Sequence, residues 1–206
     1  MLRSVDVFVV QTAFQKAKFT HRGIPEQRIG IVPGLAPSNG RSEPNGTGEL
    51  VTFIGRVSPE KGIEDFLAAA RLLPHIPFAV AGNDEAMPGI RDNSPANVRW
   101  LGFLEAGELQ NLYMNSRAVV VPSRWYEGFP NVIIQAMVHA RPVLAARIGA
   151  LTSIVEDGGT GYLFELANPQ SLARAIQRIC SSVERACELG RAGQEKARAE
   201  YSERSV

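Results

Sequence analysis

Cysteine, histidine and aromatic residues are scarce in this chain of 206 residues, which contains 2 cysteines and 3 histidines and is 7% aromatic. A structural zinc site takes four cysteine or histidine ligands, and the three scattered histidines form no such pattern with the two cysteines. Cys180 and Cys187 lie in a region predicted to be helical, where two turns of one helix would separate them by about 10 Å. That separation is too large for a disulfide, so we expect two free cysteines in a reducing cytoplasm and no bound metal.

Net charge and long apolar runs are also lacking. Lys and Arg total 22 against 21 Asp and Glu, giving a net charge of +1, so no bulk field attracts nucleic acid, which is not an expected partner. No stretch approaches the roughly 20 apolar residues of a membrane-spanning helix, and the amino terminus lacks the pattern of a signal peptide. We expect a cytoplasmic protein, and peripheral attachment to the inner membrane through an absent domain stays open.

Short apolar runs alternate with helical patterns along most of the chain. This alternation favours βαβ units and an α/β fold, in which a Rossmann-like parallel sheet carries helices on both faces. The predicted strands are Val5–Val10, Arg28–Val32, Leu50–Ile54, Phe78–Ala81, Val98–Leu101, Ala118–Val121 and Pro142–Ala145, and the predicted helices include Gln11–Phe19, Ile63–Leu73, Pro169–Cys180 and Ser182–Tyr201.

Polar residues follow Pro122, which ends the buried strand Ala118–Val121. They lead through Glu127 and Gly128-Phe129-Pro130 into another helical pattern. Proline suits the first helical position, so we place Pro130 there; the amides beyond it and the positive end of the helix dipole predict a site for an anion such as a phosphate. Because a carboxylate repels a phosphate, the expected partners of Glu127 are the hydroxyls of a sugar attached to that phosphate.

A second group of polar residues follows the strand Leu50–Ile54. Gly55 lets the backbone turn close to a ligand, and Arg56 and Lys61 place two cations beside it. On their own, these residues are more typical of a turn with solvated charges. At the same sheet edge as the Glu127 loop, they predict fixed cations that stabilise the charge growing on a diphosphate leaving group.

The two loops belong to a longer set of motifs. The set comprises Gly55-Arg56, Lys61-Gly62, Glu127-Gly128-Phe129-Pro130-Asn131-Val132, Gln135-Ala136-Met137, Arg141-Pro142-Val143, Gly149 and Glu156-Asp157-Gly158-Gly159-Thr160-Gly161. It resembles the signature of family 4 of the retaining glycosyltransferases, GT-B enzymes that use nucleotide-sugar donors. The resemblance implies a C-terminal donor-binding domain in which Glu127 contacts the donor sugar. It also implies that Arg56 and Lys61 contact the diphosphate without a metal, so no cofactor is expected.

Two positions depart from the family pattern. Gln135 stands where the family has a second glutamate that contacts the ribose, and Ser153 stands where glutamate is frequent. A glutamine carbonyl still accepts a hydrogen bond from a ribose hydroxyl, but it lacks the charge that makes such bonds roughly twice as strong. We therefore expect a donor site that is weakened but not abolished.

Two further loops complete the predicted site. Gly82 and Phe103 follow neighbouring strands, and near Phe103 a nucleotide base and a plain helix-entry loop are equally expected. Arg124 is expected to meet either a phosphate or a neighbouring acid, and Trp125 and Tyr126 either a sugar or the core. The predicted catalytic residues are Glu127, Arg56 and Lys61, and the predicted donor-binding residues are Gly55, Arg56, Lys61, Gly82, Phe103, Glu127, Gly128, Phe129, Pro130, Asn131 and Gln135.

Domain boundaries follow from composition and from the resemblance. Residues 1–36 resemble the end of the N-terminal GT-B domain and its crossover segment. Residues 37–48, rich in proline, glycine, serine and asparagine, are predicted to be a flexible linker or loop. Residues 49–181 are expected to form the nucleotide-sugar-binding domain, and residues 182–206 a C-terminal helix.

The resemblance implies transfer of a hexose from a UDP- or GDP-linked donor to a hydroxyl of an acceptor glycan or lipid-linked sugar, with retention of anomeric configuration. This chemistry belongs to polysaccharide or glycoconjugate biosynthesis. Full activity is expected to need a missing N-terminal domain, in cis or in trans. The alternative is a non-catalytic nucleotide-binding or interaction subunit with a drifted donor site. A nicotinamide-dependent oxidoreductase is set aside, because Gly158-Gly159-Thr160-Gly161 lacks the spacing of the required glycine fingerprint.

Overall fold

The computed structural model describes residues 5–36 and 48–202, which form two parallel sheets flanked by helices. The strands are β1 (Phe8–Val10), β2 (Ile29–Ile31), β3 (Leu50–Ile54), β4 (Phe78–Ala81), β5 (Val98–Gly102), β6 (Ser116–Val121), β7 (Val143–Ala146) and β8 (Gly161–Phe164). The helices are α1 (Ala13–His21), α2 (Ile63–Leu72), α3 (Ala106–Met114), α4 (Asn131–Val138), α5 (Leu151–Ile154), α6 (Pro169–Cys180) and α7 (Val183–Glu200). β1 pairs with β2, and the other strands form one sheet in the order β5-β4-β3-β6-β7-β8.

The order of the six strands determines where a ligand can bind. The chain runs outward from β3 through β4 to β5, then crosses back to β6, which lies beside β3. Because parallel crossovers are right-handed, this reversal of direction puts the connecting helices α2 and α4 on opposite faces of the sheet. α6 packs beside α2 and also contacts β6, β7 and β8, and α7 packs against α4 and contacts β8. The predicted α/β fold is confirmed, and the carboxyl ends of β3 and β6 meet where open α/β sheets bind ligands.

A cluster of phenylalanines fixes α2 on the sheet. Phe66 of α2 lies between Phe53 of β3 and Phe78 of β4, with ring centroids 5.7 and 5.4 Å apart, and all three side chains are buried. Such aromatic pairs add about 0.5–1.5 kcal/mol to the stabilisation from burial alone. The position of α2 in turn fixes the 3-10 turn Pro59–Lys61 that precedes it.

Most element boundaries differ slightly from the predicted ones. β3 and β4 have the predicted bounds, whereas β6 begins two residues earlier and β7 is shifted by one residue. β1 begins at Phe8, three residues after the predicted start. The predicted linker, residues 37–48, lies outside the described residues except for Gly48. Within residues 5–36 and 48–202, none of the helices combines the length and apolar character that a membrane crossing needs.

The two cysteines lie on separate helices, as the predicted bounds Pro169–Cys180 and Ser182–Tyr201 imply, so the separation expected for two turns of one helix does not apply. Cys180 ends α6, whereas Cys187 lies in α7. The break comes from Ser182, whose hydroxyl accepts a hydrogen bond from the Arg185 amide at 3.1 Å and so begins a new helix. Both cysteines are free, as predicted.

His139 directly follows α4 and is buried against Tyr113 of α3. Its Nδ1 lies 2.8 Å from the carbonyl oxygen of Gln135, and its ring stacks on Tyr113 with centroids 5.0 Å apart. Within the described part of the chain, its buried Nε2 makes no hydrogen bond. Burial lowers the pKa of His139 below its ordinary value, and the charge of Arg141 acts in the same direction.

This lowered pKa predicts that acid weakens the fold. The unfolded chain takes up a proton near pH 6.5, but the folded chain does so only at lower pH, so stability falls as the pH drops below about 6.5. We expect His139→Phe to reduce the loss of unfolding free energy between pH 7 and pH 5, measured by urea denaturation. His75→Phe, at an exposed histidine, is the control. An unchanged pH dependence in His139→Phe would contradict this assignment.

Candidate functional site

A cleft of about 430 Å³ opens where β3 and β6 end. Seven of the residues predicted from the sequence line it, and they come from both loops. These are Gly55, Arg56, Lys61, Glu127, Phe129, Pro130 and Asn131. A second cleft, of about 360 Å³, lies at the opposite end of the sheet, among residues that include Pro77 and Asn97. None of the predicted site residues lines this second cleft.

The two loops of the first cleft are held together by backbone contacts. Gly62 has a φ of 73°, in the left-handed region, and a Cβ there would lie 1.9 Å from the carbonyl oxygen of Pro122. The Arg124 amide donates a hydrogen bond to the carbonyl oxygen of Glu60 at 2.8 Å. Glycine is therefore required at position 62, because only its small size lets the turn that carries Lys61 approach the end of β6.

Arg124 strengthens this junction and does not line the cleft. Its guanidinium donates to both carboxylate oxygens of Asp65, at 2.9 and 2.7 Å, and to Glu64 at 2.8 Å. The hydrogen bonds to Asp65 raise the pKa of Arg124. Arg124 was predicted to meet either a phosphate or a neighbouring acid, and in the structure it pairs with the acids Asp65 and Glu64.

Glu127 lines the cleft, and three side-chain hydrogen bonds hold its carboxylate. The Lys61 ammonium donates to its two carboxylate oxygens, at 2.7 and 3.0 Å, and the Ser123 hydroxyl donates to Oε1 at 2.5 Å. The side chains of Lys61 and Glu127 are 27% and 12% exposed. An ion pair that is mostly shielded from water resists screening by salt, so the pair fixes the orientation of the carboxylate.

Arg56 is the more exposed of the two cations of the site. Its side chain is 59% exposed and donates a hydrogen bond to Glu60 at 2.8 Å. A guanidinium has five N–H donors in a planar fork, so this bond leaves other donors that an anion in the cleft can accept.

The start of α4 differs from the prediction. Pro130 does not occupy the first helical position, because its φ of −81° and ψ of 87° are not helical, and α4 begins at Asn131. The Ile133 amide donates to the carbonyl oxygen of Pro130 at 2.9 Å, so the proline is the flanking residue. The positive end of the α4 dipole still meets the cleft, since Asn131 and Val132 both line it.

Four predicted donor-binding residues do not line the cleft. A Cβ at Gly82 would lie 1.8 Å from the carbonyl oxygen of Gly55, so Gly82 permits a close approach of two loops. Phe103 is 74% exposed on the surface, and the backbone carbonyl of Gln135 accepts a hydrogen bond from the His139 amide. Gly128 faces α1, where a Cβ would lie 3.4 Å from Nε2 of Gln15.

Sequence reasoning missed the contact between α1 and the Glu127 loop. Tyr126 packs against Phe14 of α1 with ring centroids 4.9 Å apart, and the Lys18 ammonium lies above both rings. Trp125 and Tyr126 are exposed, so neither fills the core. A local sequence pattern cannot predict a contact between segments that are more than 100 residues apart in the chain.

Among the residues that the structure describes, no group of three or more His, Cys, Asp or Glu side chains could hold a metal ion. That the reaction needs neither a metal nor a cofactor stays a prediction.

Comparison with known proteins identifies the family. Residues 48–182 match the family model for glycosyl transferases group 1. The chain belongs to this family. It is 29% identical over 148 residues to the alpha-D-kanosaminyltransferase of Streptomyces kanamyceticus, a match that covers 66% of this chain and 37% of that protein. It is also 31% identical over 147 residues to an uncharacterized glycosyltransferase of Methanocaldococcus jannaschii, a match that covers 69% of this chain and 41% of that protein. The match therefore spans about two fifths of the length of these curated relatives.

Solved structures identify the fold as GT-B. The chain superposes on sucrose-phosphate synthase from Thermosynechococcus elongatus with a TM-score of 0.78 and 26% identity, covering 94% of this chain and 54% of that one. For HepE of Anabaena in complex with UDP-glucose, the TM-score is 0.81 at 21% identity, and the match covers 96% of this chain and 60% of HepE. The C-terminal domain of LpcC, a group 1 glycosyl transferase of Francisella tularensis, superposes with a TM-score of 0.66 at 22% identity. The match covers 76% of this chain and 88% of that domain. The family match and the glycosyltransferase relatives do not favour the alternative of a non-catalytic subunit.

Proposed function

We propose that this group 1 chain supplies the donor-binding half of a retaining glycosyltransferase, which transfers a hexose from a nucleotide-diphosphate sugar to an acceptor hydroxyl. One observation carries the proposal: Arg56 and Lys61 from the loop after β3 and Glu127 from the loop after β6 line one cleft, where the strand order reverses. Two cations suit a diphosphate, and the carboxylate suits the hydroxyls of the attached sugar. The relatives and the UDP-glucose complex of HepE support a donor of this class.

The proposed chemistry depends on the charge of the leaving group. The bond between the anomeric carbon and the diphosphate oxygen breaks, and negative charge grows on that oxygen. Arg56 and Lys61 stabilise this charge, while Glu127 orients the sugar and stabilises the positive charge that develops on its ring. The acceptor oxygen bonds to the anomeric carbon on the face that the diphosphate leaves, and its proton passes to the departing oxygen. This geometry retains the anomeric configuration.

The remaining parts of the function are proposals of the same kind. An acceptor glycan or lipid-linked sugar is expected to bind opposite the donor cleft, on a second GT-B domain. Like the cytoplasmic location, the nature of the acceptor stays a prediction.

Calorimetric titration with UDP, GDP, UDP-glucose and GDP-mannose tests the donor proposal. One nucleotide is expected to bind the wild-type chain specifically, and Arg56→Ala is expected to weaken that binding about tenfold, because a charge-assisted hydrogen bond is lost. Arg191→Ala, on the exposed surface of α7, is the matched control and should bind as wild type does. Absence of binding at millimolar concentrations of all four compounds would overturn the proposed function.

A further inference from the structure

The Lys61–Glu127 ion pair joins two groups that the proposed function assigns to different parts of the donor. Lys61 is assigned to the diphosphate and Glu127 to the hexose, yet the ammonium donates to both oxygens of the carboxylate, at 2.7 and 3.0 Å. An ammonium has three donors, so these two bonds leave one for a phosphate. A diphosphate that engages Lys61 fully must therefore displace at least one bond to Glu127.

The backbone around the pair cannot easily move to relieve this competition. Gly62 is packed against the Pro122 carbonyl, and the Arg124 amide is bonded to the Glu60 carbonyl. The Ser123 hydroxyl also holds Glu127, donating to Oε1 at 2.5 Å. The response to a ligand is thus confined to the two side chains, and a bound diphosphate would lie close to the Glu127 carboxylate.

The consequence differs between a nucleotide sugar and a free nucleotide. A free diphosphate that engages Lys61 weakens its pairing with Glu127 and leaves the carboxylate less well compensated beside new negative charge, which is unfavourable. The hexose of a nucleotide sugar brings hydroxyl groups that donate hydrogen bonds to the carboxylate and replace the lost ones. Only the complete donor satisfies both members of the pair.

We propose that the Lys61–Glu127 pair makes the cleft discriminate against the free nucleoside diphosphate in favour of the nucleotide sugar. The pair raises the affinity for the intact donor relative to that for the free nucleotide, and so promotes release of the nucleotide product. This inference rests on the proposed function, because it assumes that the cleft binds a nucleotide-diphosphate sugar.

The test is the ratio of the dissociation constant of the free nucleotide to that of its hexose conjugate. UDP and UDP-glucose, or GDP and GDP-mannose if guanine is preferred, are titrated into wild type and Glu127→Gln. The substitution removes the charge at nearly constant size, so affinity for the free nucleotide is expected to rise about tenfold while affinity for the conjugate does not rise. Glu156→Gln is the matched control, since Glu156 binds Lys196 at 2.6 Å outside the cleft, and its ratio should equal that of wild type.

The possible results separate this inference from the proposed function. If wild type binds none of the four compounds, the proposed function fails. If wild type binds but Glu127→Gln leaves the ratio unchanged, only the discrimination by the ion pair is overturned. A crystal structure of wild type with the preferred conjugate gives a second reading that needs no variant. Lys61 Nζ is expected on a phosphate oxygen and Glu127 on a hexose hydroxyl, and persistence of both Lys61–Glu127 hydrogen bonds would overturn the inference.

Discussion

Replacing Gly62 by alanine is expected to lower the free energy of unfolding by about 3 kcal/mol and to weaken donor binding at the same time. The new Cβ would lie 1.9 Å from the Pro122 carbonyl oxygen, and alanine at a φ of 73° is strained as well. The turn that carries Lys61 must then move away from β6. Urea denaturation measures the first effect, and calorimetry with the preferred nucleotide sugar measures the second.

Gly23→Ala is the control for backbone strain alone. Gly23 has a φ of 88°, but a Cβ there would meet nothing within 4 Å. We expect this variant to lose only about 1 kcal/mol of stability and to bind the donor as wild type does. A Gly62→Ala protein as stable as Gly23→Ala would contradict the close approach of the Lys61 turn to β6.

Replacing Lys61 by methionine is expected to weaken binding of the nucleotide sugar about a hundredfold, because a charge-assisted contact with the diphosphate is lost. The substitution keeps the length of the side chain and removes its charge. It also leaves the Glu127 carboxylate, only 12% exposed, without the cation that neutralises it, and this carboxylate then repels the diphosphate. Calorimetric titration with the preferred conjugate measures the loss.

Lys196→Met makes the same chemical change in a lysine–glutamate pair outside the cleft. Lys196 binds Glu156 at 2.6 Å, and neither residue lines the cleft. This variant should retain wild-type affinity for the donor. Equal affinities of the Lys61→Met, Lys196→Met and wild-type chains would rule out a diphosphate contact by Lys61.

Much of the fold and part of the site could be predicted from local patterns. Buried parallel strands are short and almost entirely apolar, so the positions of β3 and β4 were predictable to the residue. Polar residues directly after such strands must lie at the carboxyl edge of the sheet, which explains why Arg56, Lys61 and Glu127 share one cleft.

The remaining features depend on contacts between distant segments, which no local pattern contains. Ser123 binds Glu127 only because the loop folds back on itself, and a single serine in a loop does not allow this contact to be predicted. The contact of Phe14 with Tyr126 joins α1 to the same loop. The position of Gln135 within the motif predicted a ligand contact, but the cleft is lined only by the beginning of α4. Whether Gln135 contacts a ribose stays a prediction.

Amide hydrogen exchange with and without a saturating nucleotide sugar shows directly whether the donor binds in the cleft between the Arg56 and Glu127 loops, because it locates the donor without any substitution. UDP-glucose or GDP-mannose is expected to slow exchange in the loop from Gly55 to Gly62 and in the segment from Ser123 to Val132. Amides at the opposite end of the sheet, between Pro74 and Phe78, should exchange as in the free chain. Protection confined to that opposite end, with unchanged exchange in the Arg56 and Glu127 loops, would show that the donor does not bind in this cleft.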